Sequence, residues 1–311
     1  MKLVDGVLHS YSGLIPEFSK TISQFRTLAT SLGEEFSLLD YRFFVIQMLY
    51  LVEYADYNSQ SKLGTGLVNG QSAKALIAET NVNRIIVSST NLYVGRIVAI
   101  GTDWWNTSIA INRTITKVEN YTDGSVTGKV IYFDGDPVNI AVNNTIWGIG
   151  QTSGQCDELG MKSGCLINDG IHSMIYRGIE NIFGNMWQFV DGMNIKDRVM
   201  YLCKDHTKYK SDFFESPYKA IGYTNGDTNG YTKTLGFDPD EPLARFPTEV
   251  GAGASSGTSD YYYQDAGNRI ARVGGNFSSG LFAGLWCWTL NNSSALAYFH
   301  VGCRVLIDNQ E

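Results

Sequence analysis

Short apolar runs, separated by polar and Gly-rich segments, are the feature that most constrains the fold of this chain. The longest apolar stretch runs from Phe43 to Val52 and is interrupted by Gln47. A helix that crosses a bilayer needs about 20 apolar residues, so this stretch is predicted to lie in a protein core. Met1–Asp5 contain no apolar segment of the signal-peptide type. The sequence therefore predicts a protein that is made in the cytoplasm and does not insert into membranes.

The composition is that of a folded protein with aromatic surfaces. The chain has 311 residues, of which 43% are hydrophobic and 18% charged, and these values exclude a disordered chain. The chain is rich in Gly (33), Tyr (18) and Phe (15) and contains only 6 Pro. This composition is typical of a turn-rich fold with aromatic surfaces. The net charge is −7 and no basic cluster is visible, so we expect no nucleic-acid partner.

Residues 1–80 are predicted to form an N-terminal helical region. Pro16 suits the first turn of a helix over 15–32. Apolar residues recur at spacings of three or four along that segment and along 36–56, which predicts an amphipathic helix followed by a second, more buried helix. The first set is Phe18, Ile22, Phe25, Leu28 and Leu32, and the second is Leu39, Phe43, Ile46 and Tyr50.

Residues 81–150 differ in character and are predicted to form a small antiparallel β module, inserted between the helices and the rest. Segments 84–88 and 95–100 are rich in β-branched residues, and 114–118 alternates apolar with polar residues. The run 129–133 is followed by Asp134-Gly135, a dipeptide typical of hairpin turns.

Residues 151–311 combine short apolar runs with long segments at 204–235 and 238–262, which we predict to be loops. Gly253–Gly257 match G-x-S-x-G but lack the flanking strand and helix of a nucleophile elbow, so a loop is predicted there too. The acidic segment Asp238–Glu241 is the best calcium candidate, although an acidic loop is the commoner explanation and no cofactor is predicted. The five Cys form no C-x-x-C pair, and the four His have no metal-ligand spacing.

Residues 272–306 are dense in aromatic side chains between framework residues such as Leu281, Ala283, Leu285 and Leu290. Aromatic rings supply large contact area at low entropy cost, and Ser and Asn add adaptable hydrogen bonds. This pattern favours a ligand-binding surface, and a plain aromatic core is the alternative.

Two segments resemble a known family. Gly184–Val190, with the sequence GNMWQFV, is similar to the G-N-x-W-x-[WF]-V motif of C-type lectin folds in the branch shared by formylglycine-generating enzymes and retroelement-diversified variable proteins. Gly274–Asn276 and Val301–Arg304 resemble that branch's terminal GG-x-W … GFR frame, with Phe277 and Cys303 as departures. Leu49–Gly66 resembles segments of phage tail proteins. The resemblance implies an α+β fold with a C-type lectin-like ligand-binding domain over 151–311, to which residues 36–70 contribute if that domain is discontinuous.

The resemblance also implies a function. Diversity-generating retroelements rewrite adenines, so that Asn codons become codons for Phe, Ser, Tyr, His, Cys, Leu or Thr. The variable, ligand-binding positions are expected at Phe277, Ser278, Ser279, Phe282, Trp286, Cys287, Thr289, Ser293, Leu296, Tyr298, Phe299 and His300. The implied protein is a non-enzymatic, homo-oligomeric component of a phage tail, expected to be a trimer. It would contact other virion proteins and bind a host-surface protein or glycan.

Two alternatives remain open, since one fold hosts many functions. The first is a purely structural virion protein. The second is an enzyme of the formylglycine-generating type, for which Cys287 and Cys303 are the C-terminal candidates for a metal-holding thiol pair. The receptor-binding hypothesis is distinguished by its prediction that Phe282, Tyr298 and Phe299 are exposed in one patch.

Overall fold

The computed structural model describes residues 1–223, 228–253 and 260–308. The chain divides into two compact units, of which the first combines Met1–Val68 with Thr152–Glu311 and the second is Asn69–Gln151. Residues 69–80, which the sequence analysis assigned to the N-terminal helical region, belong to the second unit. The second unit is therefore one continuous segment of chain between the two parts of the first.

Helices are few and short in the described ranges. They are α1 (Ile22–Thr30), α2 (Phe43–Tyr54) and α3 (Ser59–Leu63), with single 3₁₀ turns at Asp157–Leu159, His206–Lys208 and Gly280–Phe282. Thr21 begins α1 with a capping box, because its side chain accepts the backbone N–H of Gln24 while the Gln24 side chain accepts that of Thr21. No helix in these ranges is long and apolar enough to cross a membrane.

Strands make up most of the regular structure. In chain order they are β1 (Lys2–Val4), β2 (Val7–His9), β3 (Phe36–Leu38), β4 (Ser72–Lys74), β5 (Glu79–Val82), β6 (Arg84–Val87), β7 (Ile97–Gly101), β8 (Ala110–Asp123), β9 (Val126–Phe133), β10 (Val138–Ile140), β11 (Thr145–Gly148), β12 (Gly164–Cys165), β13 (Met174–Tyr176), β14 (Ile179–Glu180), β15 (Trp187–Lys196), β16 (Val199–Leu202), β17 (Lys219–Tyr223), β18 (Gly230–Asp238), β19 (Glu241–Ala252), β20 (Tyr261–Gln264), β21 (Asn268–Gly274), β22 (Gly284–Asn292), β23 (Val301–Gly302) and β24 (Val305–Ile307).

The predicted fold class, α+β with N-terminal helices and a C-type lectin-like C-terminal domain, is wrong. The molecule is mostly β, with 42% of residues in strands against 12% in helices, and its largest sheet is nearly closed and barrel-like. The helix predicted over 15–32 covers only Ile22–Thr30. The segment predicted as a helix over 36–56 begins instead with β3, which pairs with β24 near the other end of the chain. Apolar spacing alone did not reveal this long-range pairing.

The segments predicted as long loops at 204–235 and 238–262 also differ from expectation. They contain β17 and the long antiparallel pair of β18 and β19. Four register shifts interrupt the pairing of β18 with β19. Each β-bulge adds an unpaired residue and so breaks the apolar–polar alternation by which a strand is recognised in a sequence.

The largest sheet of the first unit has the order β17-β16-β15-β21-β22-β20-β18-β19, with β23 parallel to β15. Helix α2 packs on one face of this sheet, where Phe43 and Phe44 lie with their ring centroids 5.8 and 5.3 Å from that of Trp288. Helix α1 packs on another part of it through Phe25, whose ring centroid is 6.0 Å from that of Phe189. The central strands are therefore covered by helices and carry mostly buried residues.

The second unit is a β domain with its own core. Its six-stranded sheet has the order β4-β11-β7-β8-β9-β6, and β5 pairs with β10. The β8–β9 hairpin turns at Gly124, which has φ +58°, between the paired residues Asp123 and Val126. The turn predicted at Asp134-Gly135 is not the hairpin turn, because β10 pairs with β5 rather than with β9. An Asp-Gly dipeptide does mark the hairpin, but it is Asp123-Gly124, eleven residues earlier in the sequence.

Candidate functional site

The structure divides the twelve predicted ligand-binding residues into two groups. Five lie in the interior, with 0 to 6% of their surface exposed: Phe277, Trp286, Cys287, Thr289 and Leu296. The other seven are partly or largely exposed: Ser278, Ser279, Phe282, Ser293, Tyr298, Phe299 and His300. The interior group can reach a ligand only if the fold rearranges, so the candidate site is built from the second group and its neighbours.

Trp286 illustrates the interior group. Its ring lies edge-on to Tyr50 and Tyr57, with centroids 5.5 and 5.3 Å away. Its backbone N–H donates to Asp260 at 2.7 Å. Burial raises the pKa of the Asp260 carboxyl well above its usual value, which favours the protonated acid inside the domain. Trp286 is therefore a packing residue of the fold.

Ser278 and Ser279 lie in a tight turn that supports the site. Asn276 organises this turn, because its side-chain oxygen lies 3.1 Å from the backbone nitrogen of Ser278 and 3.0 Å from the hydroxyl of Ser279, both of which donate to it. Gly275 precedes it with φ +77°, and a Cβ there would lie 2.8 Å from the Cβ of Ala283. The turn therefore requires glycine at position 275.

Five rings form a connected series that we call the aromatic row: Tyr231, Phe282, Tyr261, Tyr263 and Trp187. The centroid of Phe282 lies 5.7 Å from that of Tyr231 and 4.7 Å from that of Tyr261. Tyr261 and Tyr263 are 4.5 Å apart, and Tyr263 is 6.5 Å from Trp187. The row results from strand geometry, since Tyr261 and Tyr263 are two residues apart on β20 and point to the same face.

The segment 298–300 meets the aromatic row at Trp187. The backbone N–H of Trp187 donates to the carbonyl oxygen of His300 at 3.0 Å, and Val301 pairs with Trp187 in register. The ring of His300 lies 5.4 Å from that of Tyr298 and 5.1 Å from that of Phe299. Phe282 is 39% exposed and Tyr298 53%, while Phe299 is half-buried. The aromatic row thus connects Phe282 to the segment that contains Tyr298 and Phe299.

Arg272 places a buried positive charge beside the row. Its guanidinium carbon lies 5.3 Å from the ring centroid of Trp187, within the range of a cation–π interaction. Burial lowers the pKa of Arg272 to about 9, and burial together with the Arg272 charge lowers the pKa of His300 to about 3. The Arg272 side chain donates to Asn292, whereas its Nε and Nη1 atoms have no hydrogen-bond partner among the described residues. At neutral pH the site therefore combines neutral rings with one underlying cation.

The thiols near the site are poorly suited to covalent or metal chemistry. Burial raises the pKa of Cys287 well above its usual value and that of Cys303 to about 11. The thiolate is the form that attacks an electrophile or binds a metal, and both environments disfavour it. The surroundings of these thiols thus give no support to the formylglycine-type alternative.

The acidic segment considered for calcium is engaged with lysine side chains. Asp240 pairs with Lys219 at 2.7 Å and Glu241 with Lys204 at 2.5 Å, and Asp238 accepts the backbone N–H of Asp240. Within residues 1–223, 228–253 and 260–308, no three His, Cys, Asp or Glu side chains are grouped so as to hold a metal ion. The calcium hypothesis stays a prediction, and residues 254–257 of the G-x-S-x-G match lie outside the described residues.

The first unit also contains a cavity of about 860 Å³, and none of the twelve predicted residues lines it. Apolar side chains such as Leu14, Ile179 and Leu306 line much of it, together with Arg304. Arg304 donates to the side chain of Gln188 and to two backbone carbonyl oxygens. The cation in this cavity is therefore already engaged by three acceptors of the protein.

Sequence reasoning named Phe282, Tyr298, Phe299 and His300, but it missed other parts of the site. Tyr231, Tyr261 and Tyr263 were not singled out, and Trp187, which is 8% exposed, lies buried at the end of the row. The Tyr261–Tyr263 run was the available signal, because alternate residues of a strand share a face. No known family model matches this chain, and no curated protein is significantly similar to it in sequence.

Proposed function

We propose that this protein is a non-enzymatic binding protein of a phage virion that recognises a host-surface molecule through the aromatic row and residues 298–300. The observation that carries the proposal is the exposure of large aromatic side chains beside a rigid core. Phe282 is 39% exposed and Tyr298 53%, although Trp286, four residues after Phe282, is 1% exposed. Exposed aromatic rings on a fixed framework are characteristic of binding surfaces.

The chemistry of the surface supports binding rather than catalysis. The rings offer contact area that loses little side-chain entropy, and Ser278 and Ser293 add hydroxyl groups at the periphery. Arg272 is 4% exposed, so it supplies a positive charge beside the rings rather than a direct contact with the ligand. Such a site favours a ligand that stacks on aromatic rings and accepts hydrogen bonds.

The resemblance to retroelement-diversified variable proteins supports a surface that changes between copies of the gene. On this proposal the variable positions narrow to the seven exposed members of the predicted set, because substitution of the interior five would disturb packing. The resemblance is also the basis for the partners that we propose: a host protein or glycan, other proteins of the phage tail, and further copies of this chain in a trimer.

Amplicon sequencing of codons 272–306 from a natural population tests the diversification. We expect amino-acid substitutions to concentrate at Ser278, Ser279, Phe282, Ser293 and 298–300, at template adenines, and to spare Trp286. Synonymous changes spread evenly along the gene would contradict a diversified surface and would favour a fixed structural protein.

A binding assay tests the surface itself. Fluorescently labelled protein is incubated with a panel of bacterial strains from the habitat of the sequenced population, and the fluorescence bound to each strain is measured by flow cytometry. Tyr298→Ala should weaken binding at least tenfold, as expected for an aromatic hot spot. Tyr11→Ala is the matched control, since Tyr11 is 54% exposed and Tyr298 53%.

The control also distinguishes two sites, because Tyr11 lines the 860 Å³ cavity. Loss of binding in Tyr11→Ala with full binding in Tyr298→Ala would assign the ligand to the cavity and overturn the proposal. Equal binding by both variants and the unmodified protein would also overturn it.

A further inference from the structure

The second unit carries a pair of exposed tryptophans, Trp104 and Trp105, in the loop between β7 and β8. They are 38% and 44% exposed. Tryptophan is on average one of the more buried residues, so two adjacent exposed indoles call for an explanation. Nothing in the sequence analysis singled them out, and they lie outside the unit that carries the aromatic row.

A buried tryptophan supports the pair from below. Trp147 on β11 is fully buried. Its ring lies nearly parallel to that of Trp104, with an interplanar angle of 18° and ring centroids 6.4 Å apart. The ring centroids of Trp147 and Trp105 are 5.6 Å apart. Two mobile rings on a loop would lose entropy on binding a ligand, whereas rings held against a buried partner are already ordered.

The loop backbone is fixed to the same support. The indole N–H of Trp147 donates to the carbonyl oxygen of Asn106 at 3.3 Å. That oxygen comes so close to Gly101 that a Cβ there would lie 2.0 Å from it. The Asn106 side chain accepts the backbone N–H of Ser108 at 2.8 Å. Glycine at position 101 and these two hydrogen bonds therefore hold the tryptophan loop in one conformation.

Trp105 has φ +73°, a left-handed conformation that bulky residues rarely adopt. A conformation of this kind persists only where the surrounding structure enforces it, and it is common at binding sites. Here it belongs to a side chain that is 44% exposed, so burial of the ring does not account for it.

The neighbouring side chains define the ligand chemistry. Thr102, Asp103 and Ser108 are exposed beside the two rings, and Asn106 and Thr107 are partly exposed. Hydroxyl, amide and carboxylate groups bond to sugar hydroxyls, while the C–H face of a pyranose ring packs on an indole. Asp103 is the one residue with a charged side chain in the segment 101–110, so an acidic sugar would meet a like charge. A protein partner would need about 800 Å² of complementary surface, much more than two rings in a polar loop provide.

We propose that Trp104 and Trp105 form a binding site for neutral glycans in the second unit. The site does not depend on the aromatic row, and each can be present without the other. Its occupant is a pyranose chain that stacks on both indoles and hydrogen-bonds to Asp103 and the adjacent hydroxyl groups.

The test uses the full chain and a glycan array that contains neutral and acidic oligosaccharides, followed by titration of the best neutral hit by tryptophan fluorescence. Trp104→Ala should weaken binding of that glycan at least tenfold. Val142→Ala is the matched control in the same unit, because Val142 is 52% exposed, and Tyr298→Ala controls for the aromatic row. Both controls should bind as the unmodified protein does.

Trp105→Gly separates binding from folding. It relieves the left-handed conformation and removes the contact of the ring with Trp147, and these two effects on stability oppose each other. The protein should therefore stay folded, with a single cooperative thermal transition, while glycan binding falls at least tenfold. Three results would overturn the proposal: no binding to any neutral glycan, preference for acidic glycans, or undiminished binding by Trp104→Ala and Trp105→Gly. If only Tyr298→Ala lost glycan binding, the ligand would belong to the aromatic row instead.

Discussion

Strand β22 and the segments on either side of it have similar compositions and opposite environments. The strand, Gly284–Asn292, buries Trp286 and Trp288 against residues of the core. The flanking segments, 280–282 and 293–300, leave Phe282 and Tyr298 exposed. Aromatic content alone therefore does not distinguish a core from a binding surface. The environments differ because β22 is paired with β20 on one side and with β21 on the other, whereas the flanking segments lie outside the sheet and leave Phe282 and Tyr298 in contact with solvent.

The largest contrast is expected for stability. Trp286→Ala should lower the free energy of unfolding by about 3–5 kcal/mol, as for other large-to-small changes of buried aromatic residues. Urea denaturation of the two proteins measures the difference. A loss below about 1 kcal/mol would show that Trp286 is not a packing residue and would return it to the candidate ligand surface.

Gly275 and Gly280, which lie between β21 and β22, test how far the turn before β22 depends on glycine. Gly275→Ala should lower the free energy of unfolding by about 1–3 kcal/mol. The new Cβ would lie 2.8 Å from that of Ala283, and the backbone at this position has φ +77°, which is unfavourable for alanine. Gly280→Ala is the control, since Gly280 has φ +54° but no atom within 4 Å of the new Cβ. Equal losses of stability in urea would mean that backbone strain alone, without the contact, explains the need for glycine at position 275.

His300 connects the exposed segment to the buried charge and should make stability depend on pH. Its pKa is lowered from 6.5 to about 3 in the folded protein. Below pH 6.5 the unfolded chain takes up a proton that the folded chain excludes, so stability should fall as the pH drops from 6.5 towards 3. The expected slope from this residue approaches about 1.4 kcal/mol per pH unit.

Thermal unfolding of the native protein and of His300→Phe between pH 7 and 5 measures this effect. The variant should lose less stability than the native protein over that interval. Parallel Tm profiles for the two proteins would exclude His300 as the source of the pH dependence.

The smallest effect on stability is expected at the surface. Tyr298→Ala should change the free energy of unfolding by less than about 0.5 kcal/mol, because Tyr298 is 53% exposed. Urea denaturation alongside Trp286→Ala provides the measurement. A loss as large as that of Trp286→Ala would remove the distinction between the strand and its flanks.

The sequence predicted the second unit better than the first. The segment predicted as a strand at 84–88 forms β6 (Arg84–Val87), and that at 129–133 lies within β9, because β-branched residues are dense there. In the first unit, β19 was predicted to be a loop because register shifts interrupt its apolar–polar alternation and because Pro242 and Pro247 are unfavourable within a strand. Phe282 and Tyr298 were named because they lie in one aromatic-rich segment. Tyr231 and Tyr261 were missed because only the pairing of β18 with β20, and of β20 with β22, brings them beside Phe282.

The division of the first unit into two stretches of chain has a consequence for biosynthesis. Helix α2 packs on Trp288, and β3 pairs with β24. The ribosome must add 234 residues after Tyr54 to reach Trp288 and 267 after Leu38 to reach Val305, so residues 36–54 meet these partners late in synthesis. At about 5–20 residues per second, that delay is on the order of 10–50 s. The second unit lies in between as one continuous segment and can complete its sheet during the delay. Throughout this interval the apolar side of α2 is without its partner strands, and apolar surface exposed during folding favours aggregation.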